Sequence, residues 1–354
     1  MAFDRYMQMA LYEPGLGYYV NGLHKFGQAG DFVTAPEQGE LFARSLAHQL
    51  DQIAAALGPD WELLELGAGS GALARDLLKF MQQPPARYRI LDPSAVLREV
   101  QAETLAGLPE GLRDRVDWLS APADGPFEGV ILANEVIDAL PVSCFEITQT
   151  GVLERAVTVE EDRFAWTTQA PSERLQDAVS ELQAALATPL PTGYRSEICI
   201  DLAGWLKTVT EPLARGLALF IDYGYPSSEY YHPDRSGGTL VCHYRHRAHF
   251  DPFVWPGLTD LSAFVDFSLA AEAGYDAGLE IAGFTSQTGF LLSLGAHEFL
   301  DQAETDLDRM KLAAELKRLT LPGEMGEKFK VLGLTRGFDE PLKGFELMSQ
   351  LHRL

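Results

Sequence analysis

Eight residues constrain this chain more than any others: Leu64-Glu65-Leu66-Gly67-Ala68-Gly69-Ser70-Gly71. Apolar Trp61, Leu63, Leu64 and Leu66 read as a short strand, and three glycines follow at alternate positions. Leu73, Leu77, Leu78 and Met81 then recur with helical spacing. Strand, glycine turn and helix in that order aim backbone N–H groups and the positive end of a helix at a ligand. Glycine suits the turn because the main chain must approach where a Cβ would intrude. The unit predicts a nucleotide-like cofactor site.

Two cofactors fit it. A dinucleotide site takes G-x-G-x-x-G/A, which Gly67, Gly69 and Ala72 satisfy. An S-adenosyl-L-methionine site takes an acidic residue ahead of the glycines, and Glu65 supplies one before Gly67, Ala68, Gly69 and Gly71. Asp92, closing the next apolar run Arg89-Ile90-Leu91, could hold ribose hydroxyls in either case. Glu65 favours the second cofactor. A carboxylate beside the turn would repel a pyrophosphate but suits a cationic amino acid.

Around this unit strands at 61–66, 88–91, 116–119 and 129–133 alternate with helices at 72–82 and 94–105. That alternation predicts an α/β fold, a parallel sheet with helices on both faces. A helix is expected from Glu37 to Leu57, after a segment rich in Tyr, Gly and Pro that carries too many aromatics for a disordered tail. Regularity breaks after Pro141. Residues 142–168 read as antiparallel strands joined at Gly151 and at Glu160-Glu161-Asp162, followed by a helix at 172–187 and strands at 194–200 and 217–223. The stretch 224–259 reads as a long aromatic loop, and 261–273 as a helix. A strand at 279–286, helices near 288–319 and a strand at 329–335 finish the chain. The division expected is an N-terminal lid and helix (1–60), a core (61–141 and 190–354), an inserted α+β lobe (142–189) and a substrate-side loop insertion (224–259).

The bulk numbers exclude several functions. With 28 Lys and Arg against 51 Asp and Glu the 354-residue chain carries a formal charge of −23, which opposes a nucleic-acid partner and favours a cationic one. No run of about 18 apolar residues suggests a membrane span. Cys144, Cys199 and Cys242 are too few and too separated for a disulfide framework, so a reducing, cytoplasmic setting is expected.

Candidate chemistry sits at the carboxyl end of the fourth strand, in Asn134-Glu135-Val136-Ile137-Asp138-Ala139-Leu140-Pro141. Ligands of open parallel sheets bind beyond such strand ends. One helical turn would bring Glu135 and Asp138 to one side, where two carboxylates can grip a guanidinium. Asp222, closing Leu217-Ala218-Leu219-Phe220-Ile221, is expected either to line the substrate side or to cap its own turn. In Cys242-His243-Tyr244-Arg245-His246-Arg247-Ala248-His249 the histidines recur every third residue, but Arg245 and Arg247 would repel a metal ion, and no metal is expected.

Several blocks in order along the chain resemble the MidA family of S-adenosylmethionine-dependent methyltransferases, to which a mitochondrial complex I assembly arginine methyltransferase belongs. They include Ala10-Leu11-Tyr12, Gly17-Tyr18-Tyr19, Gly30-Asp31-Phe32-Val33-Thr34-Ala35-Pro36-Glu37, the glycine motif, Asn134 to Pro141, Phe220-Ile221-Asp222-Tyr223-Gly224, Pro256-Gly257-Leu258-Thr259-Asp260 and Met325 to Leu332. The resemblance implies a seven-stranded Rossmann-like methyltransferase sheet whose last strand runs antiparallel. It implies S-adenosyl-L-methionine on Glu65 to Gly71, ribose contact by Asp92 where the family usually has glutamate, and Gly30 and Thr34 in a lid. It further implies methylation of an arginine on a protein, such as a subunit of a complex I-type NADH dehydrogenase, by a bacterial cytoplasmic enzyme. Glu135, Asp138 and Asn134 are then the catalytic candidates. A non-catalytic assembly factor that keeps the pocket and a methyltransferase of small molecules are the rival expectations.

Overall fold

The computed structural model describes residues 1–22, 34–122 and 125–354. Helices α1 (Phe3–Tyr12) and α2 (Leu41–Leu57) precede the first strand. The chain then alternates through β1 (Glu62–Leu66), α3 (Ala72–Phe80), β2 (Arg87–Leu91), α4 (Ala95–Leu105), a single turn α5 (Glu110–Arg113), β3 (Val116–Leu119) and β4 (Phe127–Asn134). A lobe follows, made of β5 (Ser143–Thr148), β6 (Gly151–Glu160), β7 (Arg163–Gln169), α6 (Glu173–Ala185) and β8 (Arg195–Ile198). Helix α7 (Leu202–Thr210) and the long strand β9 (Leu213–Tyr225) return to the core. Next come a one-turn helix α8 (Ser227–Tyr230), the hairpin β10 (Val241–Tyr244) and β11 (Arg247–His249), and short strands β12 (Asp260–Ser262) and β13 (Val265–Asp266). Helix α9 (Phe267–Asp276), β14 (Glu280–Ser286), α10 (Gln287–Ser293), α11 (Asp306–Thr320) and β15 (Phe329–Arg336) complete the chain.

The main sheet has the order β14-β15-β9-β4-β1-β2-β3, with β13 added along the end of β9. All neighbours on the β9 to β3 side pair in parallel, and β15 alone runs antiparallel to both β9 and β14. The sheet is therefore the expected seven-stranded one. Alternate residues of each strand feed two cores, as a sheet covered on both faces requires. Leu63, Ile90, Leu132 and Leu219 pack with α2 and α3, while Leu64, Ile131, Ala133 and Phe220 pack with α7 and α9. Strand order reverses between β1 and β4, and an open sheet of this type leaves its ligand crevice there.

Four expectations need correction. The helix expected from Glu37 starts at Leu41, because Pro36 and Gly39 interrupt it and residues Ala35–Glu37 form a separate 3-10 turn. The 224–259 stretch is not a loop: it holds α8 and a hairpin whose turn residues Arg245 and His246 both take positive φ (47° and 61°). That hairpin joins β12 in a three-stranded sheet. The helix expected at 261–273 is shifted to Phe267–Asp276, since β12 and β13 claim the preceding residues. The Asp266 carboxylate caps the helix by accepting from the amides of Ser268 and Leu269 at 3.1 and 3.2 Å. The lobe forms a four-stranded antiparallel sheet β7-β6-β5-β8, so its pairing extends past residue 189 to Ile198.

Candidate active site

The glycine turn leaves β1 with its backbone in the left-handed region three times, at Gly67 (φ 61°), Gly69 (54°) and Gly71 (80°). Side chains there would be strained whatever the space, which explains why glycine recurs at alternate positions. Space is short as well: a Cβ on Gly67 would lie 3.2 Å from Val136, and one on Gly71 would lie 3.2 Å from the Cα of Gln101. Glu65, on β1 just before the turn, is buried and accepts a hydrogen bond from the Tyr88 hydroxyl at 2.8 Å. Burial pushes its pKa up to about 7, against that hydrogen bond, and Asp92 adds to the rise. Asp92, at the end of β2, accepts from the Ser94 amide at 2.9 Å and from Gln101 Nε2 at 2.9 Å.

Across the switch point, β4 ends in Asn134 and the chain turns sharply. Glu135 has φ 55°, unusual for a residue with a Cβ, and its amide donates to the Ile221 carbonyl at 2.9 Å. A 3-10 turn over Ile137–Ala139 then carries Asp138 round to the same side. The turn is held by Asp222 on β9. Its Oδ2 accepts from the amides of Val136, Ile137 and Asp138 at 3.2, 3.0 and 3.2 Å, and its Oδ1 from the Tyr223 amide at 2.9 Å. Asp222 thus caps the turn after β4 rather than only its own, and it is not among the residues lining the cavity. Tyr223 in turn donates its hydroxyl to Asp138 Oδ2.

These two clusters line one cavity of about 770 Å³. Glu65, Gly67, Ala68, Gly69 and Asp92 belong to its wall, and so do Asn134, Glu135 and Asp138, with Thr34 as well. Gly71 stands back from the wall as the residue before α3. Gly30 lies outside the described residues. Further lining comes from segments remote in sequence: Tyr12 and Tyr19 near the N-terminus, His243 on β10, Asp260 on β12 and Phe264. The Tyr12 and Tyr19 rings stack at 5.5 Å. Tyr12 donates to the Ala139 carbonyl at 3.0 Å and Tyr19 to Asp260 Oδ1 at 2.9 Å. Sequence reasoning named neither tyrosine as a site residue, although both fall in the family-like blocks Ala10-Leu11-Tyr12 and Gly17-Tyr18-Tyr19 and in the aromatic excess of residues 1–40.

The acidic end is poised for a cation. Burial raises the Glu135 pKa to about 8 and Asp138 adds to the rise; hydrogen bonds from Asn134 Nδ2 at 3.2 Å and from the Ala35 amide oppose it. Burial likewise lifts Asp138 to about 6, against the Tyr223 hydrogen bond. Asp138 Oδ1 and Asn134 Oδ1 are buried without a hydrogen-bond partner among the described residues. Among the described residues no three His, Cys, Asp or Glu side chains group as metal ligands. The histidines of the 242–249 block fall on β10, on the turn and on β11, so their spacing of three does not converge.

Glycine turn, acid on β2, acid after β4 and a seven-stranded sheet with one reversed strand define a nucleotide-cofactor methyltransferase. The chain belongs to the family described as "Putative S-adenosyl-L-methionine-dependent methyltransferase", whose profile matches residues 41–285. It is similar to a crystal structure of a Burkholderia thailandensis protein bound to S-adenosyl-homocysteine, at 40% identity and a TM-score of 0.93, covering 100% of this chain and 92% of that one. A native structure from the same organism is 41% identical with a TM-score of 0.89 over the same shares. Among curated proteins, the mouse mitochondrial protein arginine methyltransferase NDUFAF7 is 29% identical over 93% of this chain and 79% of its own length. The Drosophila melanogaster NDUFAF7 homolog is 29% identical over 94% and 80%. The cofactor is S-adenosyl-L-methionine. No helix among the described residues is long and apolar enough to cross a membrane.

Proposed function

We propose that this enzyme methylates an arginine side chain of a protein, with Glu135, Asp138 and Asn134 as its catalytic residues. The observation that carries the reading is the pair of carboxyl groups, half-buried Glu135 and buried Asp138, on one tight turn lining the cavity that the glycine turn also lines. The names of the mouse and fly relatives support the arginine assignment. Residues Glu65, Gly67, Ala68, Gly69, Gly71 and Asp92 would hold the cofactor, with Thr34 and Gly30 in the lid. The positive φ of the three glycines and the buried Asp92 carboxylate fit an adenosyl amino acid.

Bound S-adenosylmethionine supplies a methyl group made electrophilic by its sulfonium, so the protein's task is alignment. A guanidinium is protonated at any ordinary pH, with a pKa above about 12. Glu135 and Asp138 bind it through charge-assisted hydrogen bonds and draw its positive charge toward the non-attacking nitrogens. The attacking nitrogen sheds a proton as it is alkylated. Glu135, with a pKa of about 8 before the cation arrives, is placed to take it. Asn134 donates from Nδ2 to Glu135 Oε1 and so holds that carboxylate at the strand end.

A subunit of a respiratory NADH dehydrogenase, in a reducing cytoplasm, is the partner the family resemblance favours; the three cysteines are free thiols. The test is incubation of the purified enzyme with isotopically labelled S-adenosylmethionine and purified NADH dehydrogenase subunits, followed by peptide mass spectrometry. Label on an arginine, lost with Glu135→Gln, is the expected result. Label only on another residue type, or on a small acceptor, overturns the arginine assignment.

A further inference from the structure

We infer that Gln101 is a positioning residue of the cofactor site, joining the ribose acid Asp92 to the glycine turn as one rigid unit. Gln101 lies on α4 and is wholly buried, where an amide must find partners for both N–H bonds and its oxygen. It finds all three. Nε2 donates to Asp92 Oδ2 at 2.9 Å and to the Gly69 carbonyl at 3.1 Å, and Oε1 accepts from Trp118 Nε1 at 3.0 Å. An indole can only donate and a main-chain carbonyl can only accept, so these partners settle which end of the amide is which.

The rest of α4 supports the same clasp. Thr104, three residues on, donates its hydroxyl to the Ser70 carbonyl at 2.7 Å, and the Gln101 backbone closes on Gly71. Helix α4 therefore touches three successive residues of the turn. The two Asp92 oxygens are divided between the Ser94 amide and Gln101, which sets the plane of the carboxylate and leaves its remaining lone pairs to the cavity. A carboxylate one methylene shorter than glutamate needs such an anchor, because a small rotation would swing it away from a ribose. The inference rests on the reading of Asp92 as the ribose acid.

The experiment is calorimetric titration with S-adenosylhomocysteine and with its 2′,3′-dideoxy analogue, on the full chain. The wild type should prefer the hydroxylated ligand by about tenfold or more, as hydrogen bonds to a charged group do. If it shows no preference, the Asp92 reading fails, and this inference with it. Given that preference, Gln101→Leu should weaken S-adenosylhomocysteine by about tenfold and flatten the preference to about threefold or less. Equal weakening of both ligands, or wild-type affinity in a variant shown by circular dichroism to be folded, would overturn the inference.

Gln101→Glu supplies a second readout. A protonated glutamate can still donate to Asp92, whereas an ionised one repels it. Affinity of that variant should therefore fall steeply as pH rises from 5 to 8, by more than the wild type's changes. A pH profile parallel to the wild type would show that Gln101 does not act through Asp92.

Discussion

Glu135 concentrates the cost and the use of this site in a single residue. It sits at positive φ, it is half-buried beside another acid, and its pKa of about 8 lies well above that of a free glutamate. An acid whose folded pKa is raised stabilises the fold only while protonated. That contribution is complete below about pH 4.5 and is lost as pH rises through about 8. Glu135→Gln should therefore raise the melting temperature at pH 8.5 and leave it nearly unchanged at pH 4.5, while methyl transfer falls by about a hundredfold or more and S-adenosylhomocysteine still binds. Melting curves at the two pH values and a calorimetric titration check all three parts. The same titration gives the acceptor side its own sign: an arginine peptide needs ionised carboxylates, so its affinity should rise between pH 6 and pH 8. At this scale the sequence supplied positions along the cavity wall. Glu65, Asp92, Asn134, Glu135 and Asp138 were all legible because each is an acid or amide at the end of a strand or one turn beyond it. Gln101 was not, since a glutamine inside a helical pattern looks like any solvated side chain.

Two turns are the elements that matter, and both depend on backbone geometry that side chains then lock. The first is the glycine turn, where Gly67→Ala adds strain at φ 61° and crowds Val136. It should destabilise the protein by about 1–3 kcal/mol and weaken S-adenosylhomocysteine, as denaturation and calorimetry would show. The second is the acidic turn, which hangs from Asp222. In Asp222→Ala the acceptor shared by three amides is lost, an expected cost of about 1–3 kcal/mol. Because Asp222 holds the acidic turn directly and meets the glycine turn only through the Val136 side chain, transfer should suffer more than cofactor binding; parallel loss of both would contradict this division. Element boundaries were readable where hydrophobic period and turn residues agreed, as in β3 and in the hairpin of β5 and β6. They were misread at 224–273, where short strands take their order from tertiary pairing with β9 and β10.

The whole molecule brings residues of the N-terminal segment and of the 241–264 stretch to the carboxyl edge of the sheet, where they add walls to the cavity. Helix α1 packs with β5, β6 and the hairpin in one apolar cluster, so Tyr12 and Tyr19 reach a site built more than 100 residues later. Saturation with S-adenosylhomocysteine should stabilise this assembly by about 2.7 kcal/mol at a hundredfold excess over the dissociation constant. Thermal shift against ligand concentration tests that, with no comparable shift expected from duplex DNA, which the charge of −23 repels. By itself the sequence determined the alternation of strand and helix, the glycine turn and the acids at the strand ends, because periodicity, backbone freedom and charge are local properties. Only the tertiary structure decided which remote tyrosines and acids complete the cavity, that Asp222 caps while Asp138 faces it, and that Gln101 ties turn to acid. Those outcomes depend on contacts between residues tens to hundreds of positions apart, and no local pattern encodes them.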